Sequence, residues 1–171
     1  MEAMENLLTR RSVRKYRDEA IPEDVLAKVI EAGTYAPTAS GKQSPIIIAV
    51  TNKEVRDRLS RMNAAVMGSN SDPFYGAPVV LVVLADKNNR NRIYDGSCVM
   101  DNLLNAANAM GLGSCWIHRA REVFETEEGI KILKDLGIEG EYEGIGNCIL
   151  GYTDEKPVPV PRKEGYVWYI R

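Results

Sequence analysis

Apolar residues occur along the chain in two patterns, one with helical spacing and one of short continuous runs. The helical spacing predicts five helices, and two of them have a residue that favours a helix start. Pro22 suits a first helical turn, and Asn52 suits an N-cap. The predicted helices are Glu2–Arg10, Pro22–Gly33, Lys53–Ala65, Asp95–Met110 and Thr126–Gly137.

The segment 95–110 is the most apolar of these helices, with apolar residues on more than one face. A helix that is apolar nearly all round is covered by protein on several sides. We therefore expect it to be the buried central helix.

Four short runs rich in β-branched residues predict β-strands. They are Ile46–Thr51, Val79–Ala85, Ser114–Ile117 and Ile145–Tyr152. The runs show little alternation between apolar and polar residues, which is typical of strands covered on both faces. The pattern therefore predicts one sheet with helices on both sides, within a single domain that spans residues 1–171.

The segment Tyr166–Ile170 alternates aromatic and aliphatic residues after a stretch with prolines at 157, 159 and 161. Proline at every second position excludes a helix there. We expect residues 166–170 to form a strand that adds to the edge of a sheet, in a second subunit.

Composition narrows the function classes. The chain of 171 residues has 22 basic and 24 acidic residues, for a formal charge of −2. Such a balance provides no general attraction for polyanions, so we expect no nucleic-acid partner.

The apolar runs are too short to span a membrane and the chain starts with an acidic segment, so we expect a cytoplasmic protein. Three widely spaced cysteines with one histidine predict neither a disulfide framework nor a metal site.

The densest basic cluster is Arg10–Arg17, at the end of the first predicted helix. Guanidinium groups around a serine hydroxyl can bind a phosphate. The alternative is a solvated helix end, where cations interact favourably with the helix dipole. A second basic pair, Arg162 and Lys163, lies near the other end of the chain, and the two clusters could converge on one phosphate.

The loop Ala36–Pro45 is rich in small residues, which allow backbone groups to approach a flat ligand. The alternative is a simple connector. The glycines of Gly111–Gly113 follow a helix and so do not form a Rossmann fingerprint, and Tyr152 stands where a P-loop needs lysine. No nucleophile accompanies His118, and Cys115 is expected to be a small buried apolar residue.

Four segments, in order, resemble the nitroreductase family of FMN-dependent oxidoreductases. They are Arg10–Arg14, Ala36–Gln43, Asp95–Asn102 with Gly111–Ser114, and Gly151–Tyr152 leading to Pro161–Lys163. The resemblance implies an α+β fold with a mixed sheet flanked by helices. It also implies a homodimer that exchanges its C-terminal strand and binds two FMN molecules between the subunits.

The resemblance further implies the cofactor-binding residues. Arg10, Arg11, Ser12 and Arg14, with Arg162 and Lys163, would hold the phosphate and ribityl chain. Pro37 and Thr38, with Ala39, Lys42 and Gln43 of the same loop, would contact FMN from the partner subunit. Trp116, Ile117 and His118 would approach the flavin ring.

Two departures from the family pattern affect this expectation. The family commonly has Asn-x-Gln-Pro-Trp where this chain has Gly41-Lys42-Gln43-Ser44-Pro45, although Lys42 still offers a positive charge to the ring. Residues 63–76 leave little room for the helical cap of longer members.

The implied activity is reduction of an electron-poor acceptor, such as a nitroaromatic or a quinone, by NADH or NADPH. In this ping-pong scheme the nicotinamide passes a hydride to the flavin and leaves before the acceptor binds. FMN carries the chemistry, so the protein needs no catalytic residue of its own. The alternatives are a protein that stores or senses FMN without turnover, and a basic arm that binds nucleic acid.

Overall fold

The computed structural model describes residues 1–171 and contains six α-helices and four β-strands. The helices are α1 (Ala3–Thr9), α2 (Glu23–Thr34), α3 (Lys53–Val66), α4 (Arg92–Ala109), α5 (Ala120–Glu125) and α6 (Glu127–Asp135). The strands are β1 (Pro45–Val50), β2 (Val79–Asp86), β3 (Gly113–Ile117) and β4 (Tyr142–Gly151). A short 3₁₀ turn, Ala39–Gly41, precedes β1.

The four strands form one sheet in the order β1-β2-β4-β3, and every neighbouring pair is antiparallel. The fold is α+β as predicted, but the prediction of a mixed sheet is wrong. The only parallel pairing is an isolated bridge between Ser12 and Ser114. A short apolar run does not determine strand direction, because burial on both faces leaves the same pattern in either direction.

The sheet separates two apolar cores. One face packs with residues from α2 and α4, among them Val29, Met100 and Leu103, and the other packs with residues from α3, α5 and α6, among them Leu59 and Phe124. Helices therefore cover both sides, as predicted. Each fully buried Leu, Val or Phe side chain contributes on the order of 1.5–3 kcal/mol, so these two layers supply most of the stabilisation.

Most predicted element boundaries hold to within a few residues. Asn52 accepts a hydrogen bond from the Val55 amide at 3.0 Å and caps α3, and Thr126 accepts from the Gly129 amide at 3.0 Å and caps α6. Helix α4 is central and buried, but it begins three residues before the predicted start. Helix α5 was not predicted, because six residues are too few for helical spacing to stand out.

The two outer edges of the sheet differ. The Val13 amide donates to the Ser114 carbonyl at 2.9 Å, so the N-terminal segment lies against β3. No other strand pairs with the outer edge of β1. Residues 166–170 form no strand within this chain and are exposed, so their pairing with a second subunit stays a prediction.

None of the helices combines the length and the apolar character needed to cross a membrane.

Candidate functional site

Arg10 lies directly after α1 and has an extended backbone, with φ −53° and ψ 132°. Its side chain is half-buried, and its Nη1 atom is buried without a hydrogen-bond partner. No carboxylate forms an ion pair with it; the nearest ion pairs along the chain involve Arg17. A buried, unpaired guanidinium nitrogen is unfavourable unless an acceptor binds there, so Arg10 is a candidate anion ligand.

Arg11 makes hydrogen bonds at the end of α1, and its predicted contact with the cofactor stays a prediction. Its Nη1 atom donates to the carbonyls of Leu8 at 2.8 Å and Arg10 at 2.7 Å, at the end of α1. These are carbonyls without partners inside the helix, and a cation is favourable at that end of the dipole. The helix-end interpretation of the basic cluster therefore fits the Nη1 atom of Arg11, whereas the Nη1 atom of Arg10 is buried without a partner.

The segment after Arg10 is fixed to the ends of β3 and β4 by hydrogen bonds. The Arg14 amide donates to Glu155 Oε2 at 2.7 Å, and Thr153 donates to the Lys15 carbonyl at 2.7 Å. Tyr16 donates its hydroxyl to the Val13 carbonyl at 2.8 Å, and burial raises the pKa of this phenol, so it stays a neutral donor. The Arg14 side chain is left exposed and without an ion pair.

Two buried cysteines lie in the sheet, Cys115 on β3 and Cys148 on β4. Burial and the neighbouring Cys115 raise the pKa of the Cys148 thiol, while the charge of Arg10 lowers it. Cys148, on β4, is fully buried. Cys115 is 2% exposed, which confirms the prediction that it is a small core residue.

The loop from Pro37 to Gln43 has an unusual backbone. Ser40, Gly41 and Gln43 have φ angles of 55°, 62° and 50°, in the left-handed region. The backbone N–H of Gln43 donates a hydrogen bond to Thr38 Oγ1 at 3.1 Å. The side chains of Lys42 and Gln43 are exposed. The loop therefore turns tightly and leaves the side chains of Lys42 and Gln43 free to contact a neighbouring molecule.

The end of β3 and the residue after it carry the three predicted contacts of the flavin ring, which differ in burial. Trp116 packs on the α4 side of the sheet, whereas Ile117 belongs to the core on the other side and is 7% exposed. His118 is exposed, with its ring centroid 6.4 Å from that of Trp116. Ile117 therefore offers a ligand only its backbone. Trp116 Nε1 is buried without a partner.

A cavity of about 420 Å³ adjoins the turn after β3. Trp116, His118, Arg119 and Glu143 are among the residues that line it. Glu143 is 5% exposed and forms ion pairs with Arg92 and Arg121. A cavity of about 450 Å³ beside α3 contains none of the predicted site residues. The 420 Å³ cavity is therefore the one of these two that adjoins predicted contacts of the flavin ring, Trp116 and His118.

Two asparagines that the sequence analysis missed hold this turn. Asn63 donates to the His118 carbonyl at 2.8 Å and accepts from Arg119 Nε at 2.9 Å, and Asn147 donates to the same carbonyl at 3.2 Å. Asn63 is completely buried. The available signal was its position, one helical turn after the buried Leu59, where an apolar residue would be expected.

Arg162 and Lys163 do not reach the N-terminal cluster within this chain. Arg162 donates to the Val160 carbonyl at 2.5 Å, and the Lys163 ammonium lies 5.6 Å from the Tyr166 ring centroid. The two ends of the chain meet instead through residues 152–155 and 14–17. The two basic clusters therefore do not converge within this chain, and their convergence on one phosphate stays a prediction.

The sequence matches the nitroreductase family over residues 7–72 and 66–152. The chain belongs to this family. A curated relative from Archaeoglobus fulgidus, named "Putative NADH dehydrogenase/NAD(P)H nitroreductase", is 32% identical over 162 residues, which cover 91% of this chain and 88% of the relative. An NADPH-flavin oxidoreductase from Vibrio harveyi is 27% identical over 175 residues, which cover 96% of this chain and 71% of that protein.

A solved structure of a nitroreductase with bound FMN from Bacteroides fragilis is similar over the full length of both chains, with a TM-score of 0.88 and 27% identity. The family match and this structural similarity agree on the α+β fold.

Proposed function

We propose that this nitroreductase-family chain is an NAD(P)H-dependent flavin oxidoreductase that binds FMN and reduces a small, electron-poor acceptor such as a nitroaromatic or a quinone. The observation that carries the proposal is Arg10, whose buried Nη1 atom has no partner and whose charge no carboxylate balances. Support comes from the relatives that are named NAD(P)H nitroreductase and NADPH-flavin oxidoreductase and from the FMN-bound nitroreductase of the same fold.

The residues present fit FMN. A phosphate supplies the acceptor that Arg10 lacks, and charge-assisted hydrogen bonds of this kind are among the stronger polar interactions. Ser12 and the exposed Arg14 follow Arg10 in an extended segment, where alternate side chains share one side. We propose that these three residues hold the phosphate and ribityl chain, in a single domain that spans residues 1–171.

Bound FMN would supply hydride transfer between a nicotinamide and the acceptor, each using the same site in turn. The residues of this chain bind and orient. Trp116, His118 and the backbone of Ile117 would lie beside the ring, and the projecting loop would bring Pro37, Thr38, Ala39, Lys42 and Gln43 to the FMN of a second subunit. The positive charge of Lys42 would favour the reduced, anionic ring.

We propose that two copies form the complete site. The apolar segment 166–170 is exposed, and the outer edge of β1 has no neighbouring strand, whereas the edge of β3 is partly covered by the Ser12 bridge. Uncovered strand edges offer unpaired backbone groups to another chain. We propose that the tail of a second copy pairs with this edge of β1. Arg162 and Lys163, which precede the tail strand, remain proposed ligands of the FMN phosphate.

The experiment is to purify the protein, record its absorbance spectrum, titrate it with FMN, and follow oxidation of NADH and NADPH with a nitroaromatic or a quinone. We expect a yellow protein that turns over. A protein that stores FMN would bind it but leave it oxidised when mixed with either nicotinamide without oxygen. A colourless protein that FMN does not reconstitute would overturn the proposal.

A further inference from the structure

Asp95, in the first turn of α4, is a buried carboxylate that holds the loop before β1. Its side chain is 4% exposed, and Oδ1 accepts a hydrogen bond from the Ala39 amide at 2.9 Å. Its second oxygen, Oδ2, accepts from Asn89 Nδ2 at 2.9 Å. Both oxygens are thus used, and neither contacts an arginine or lysine.

Asn89 extends this contact to the other end of the loop. Its Nδ2 atom also donates to Ser44 Oγ at 2.7 Å, and its Oδ1 atom accepts from the backbone N–H of Asn91 at 3.0 Å. Asp95 therefore binds the loop at Ala39, and through Asn89 it is linked to Ser44. We call Asp95, Asn89 and Ser44 the loop clamp.

The loop between these two points needs such support. Ser40 and Gln43 are non-glycine residues with left-handed φ angles of 55° and 50°. For most L-residues this conformation costs roughly 1–2 kcal/mol each. Besides its 3₁₀ turn, the loop has one stabilising bond of its own, from the Gln43 amide to Thr38 Oγ1. The clamp supplies contacts from α4 and from the segment before it, which the loop cannot provide for itself.

We infer that Asp95 is a positioning residue that holds the loop 37–43 in the conformation that contacts FMN of the neighbouring subunit. The inference rests on the proposed function, because FMN is the ligand that the loop would contact. Asp95 itself touches the loop backbone, so its effect on the cofactor passes through the clamp.

The donor and acceptor pattern of the clamp allows a sharp test. In Asp95→Asn, an amide NH₂ faces the NH₂ of Asn89, so one of the two hydrogen bonds is lost. In Asn89→Asp, two carboxylates face each other. In the double variant D95N/N89D, the side-chain NH₂ at position 95 donates to the carboxylate at position 89. That carboxylate also accepts from the Ser44 hydroxyl, which now donates, and from the backbone N–H of Asn91. Every position of the network again has a donor facing an acceptor.

We expect each single variant to raise the FMN dissociation constant about tenfold or more, the scale of an unsatisfied buried group. The double variant should return to within about threefold of wild type. Asp101→Asn, the same change at an exposed position on α4, is the matched control and should leave affinity unchanged. Fluorescence quenching of added FMN gives the affinity, and thermal unfolding of the apoprotein gives stability separately.

If a single variant does not fold, Ser44→Ala removes only the outer bond of the clamp and should raise the dissociation constant about threefold. Wild-type affinity in both D95N and S44A would overturn the inference. So would a double variant that recovers apoprotein stability but not FMN affinity. Amide exchange at residues 38–43 in the apoprotein separates the two proposals: faster exchange in D95N with no FMN binding by wild type would mean that the proposed function fails while the clamp holds the loop.

Discussion

The segments 12–17 and 157–171 are both without helix or strand, and both carry basic residues, yet only the first is attached to the body of the protein. Val13 is 5% exposed, and the Arg17 amide donates to the Tyr152 carbonyl at 2.8 Å. In the second segment, Trp168 is 87% exposed and Ile170 is completely exposed. Its hydrogen bond from Arg162 stays within the segment.

The difference shows that the fold positions the N-terminal half of the proposed phosphate site and leaves the C-terminal half unattached. The N-terminal cations belong to a segment that is hydrogen-bonded to Ser114 at the start of β3 and to Tyr152 just after β4, so its position follows from the sheet. The C-terminal segment exposes several large apolar side chains in sequence, and contiguous apolar surface of this kind typically marks an interaction site. This pattern supports the proposed second copy as the surface that the tail covers.

Removing residues 157–171 should have the largest effect. We expect a monomer whose FMN affinity is lower by roughly two orders of magnitude, because the contacts of Arg162, Lys163 and the second subunit's loop are lost together. Thermal unfolding of the apoprotein at low concentration should change little, since the segment packs on neither core. Light scattering and FMN titration provide the measurements.

The control for this deletion replaces residues 157–171 by a glycine-serine segment of equal length. It should behave like the deletion. If the truncated protein stays dimeric and binds FMN as wild type does, segment 157–171 has no part in dimerisation or FMN binding, which would contradict the prediction.

Replacing Arg10 with alanine should weaken FMN binding by about 1.5–3 kcal/mol, the scale of a hydrogen bond to a charged group. Arg14→Ala should fall in the same range. Arg11→Ala is the internal comparison: it should mainly lower stability, because Arg11 caps α1. FMN titration and thermal unfolding of the three variants separate the two roles. Equal losses of affinity at Arg10 and Arg11, or none at Arg10 and Arg14, would mean that the cluster is only a helix end.

Single replacements in the tail should have the smallest effect. For Arg162→Ala and Lys163→Ala we expect FMN affinity to fall about threefold to tenfold, with a loss that shrinks at high salt because these side chains are exposed. Apoprotein stability should not change. Titrations at low and high ionic strength test this expectation, which a salt-independent loss would contradict.

Much of the fold followed from local pattern. The apolar run of β2 and the broad apolar surface of α4 identified the centre of the molecule, because burial on every side leaves no polar positions. Asn52 and Thr126 identified helix starts, because capping is a local interaction. Helix α5 and the antiparallel strand directions were not predicted, since one is short and the other depends on how distant segments pair.

The candidate site was predictable to a lesser degree. The spacing of Arg10, Ser12 and Arg14 was visible, but Arg10 and Arg11 look alike in a sequence. Asp95 and Asn63 lie on predicted helices. Most polar helix residues face solvent, so the sequence did not indicate that these two are buried. Their partners, Ala39 and His118, are 56 and 55 residues away along the chain.

The order of residues alone was sufficient for the element types, the buried helix and strands, and the resemblance to the nitroreductases, because these depend on short-range spacing and on motifs. Folding decided which arginine has a buried nitrogen without a partner, which side chains hold the loop before β1 and the turn after β3, and which apolar segment stays exposed. These properties depend on the atoms that remain unpaired once distant parts of the chain have packed together, and no local pattern records that.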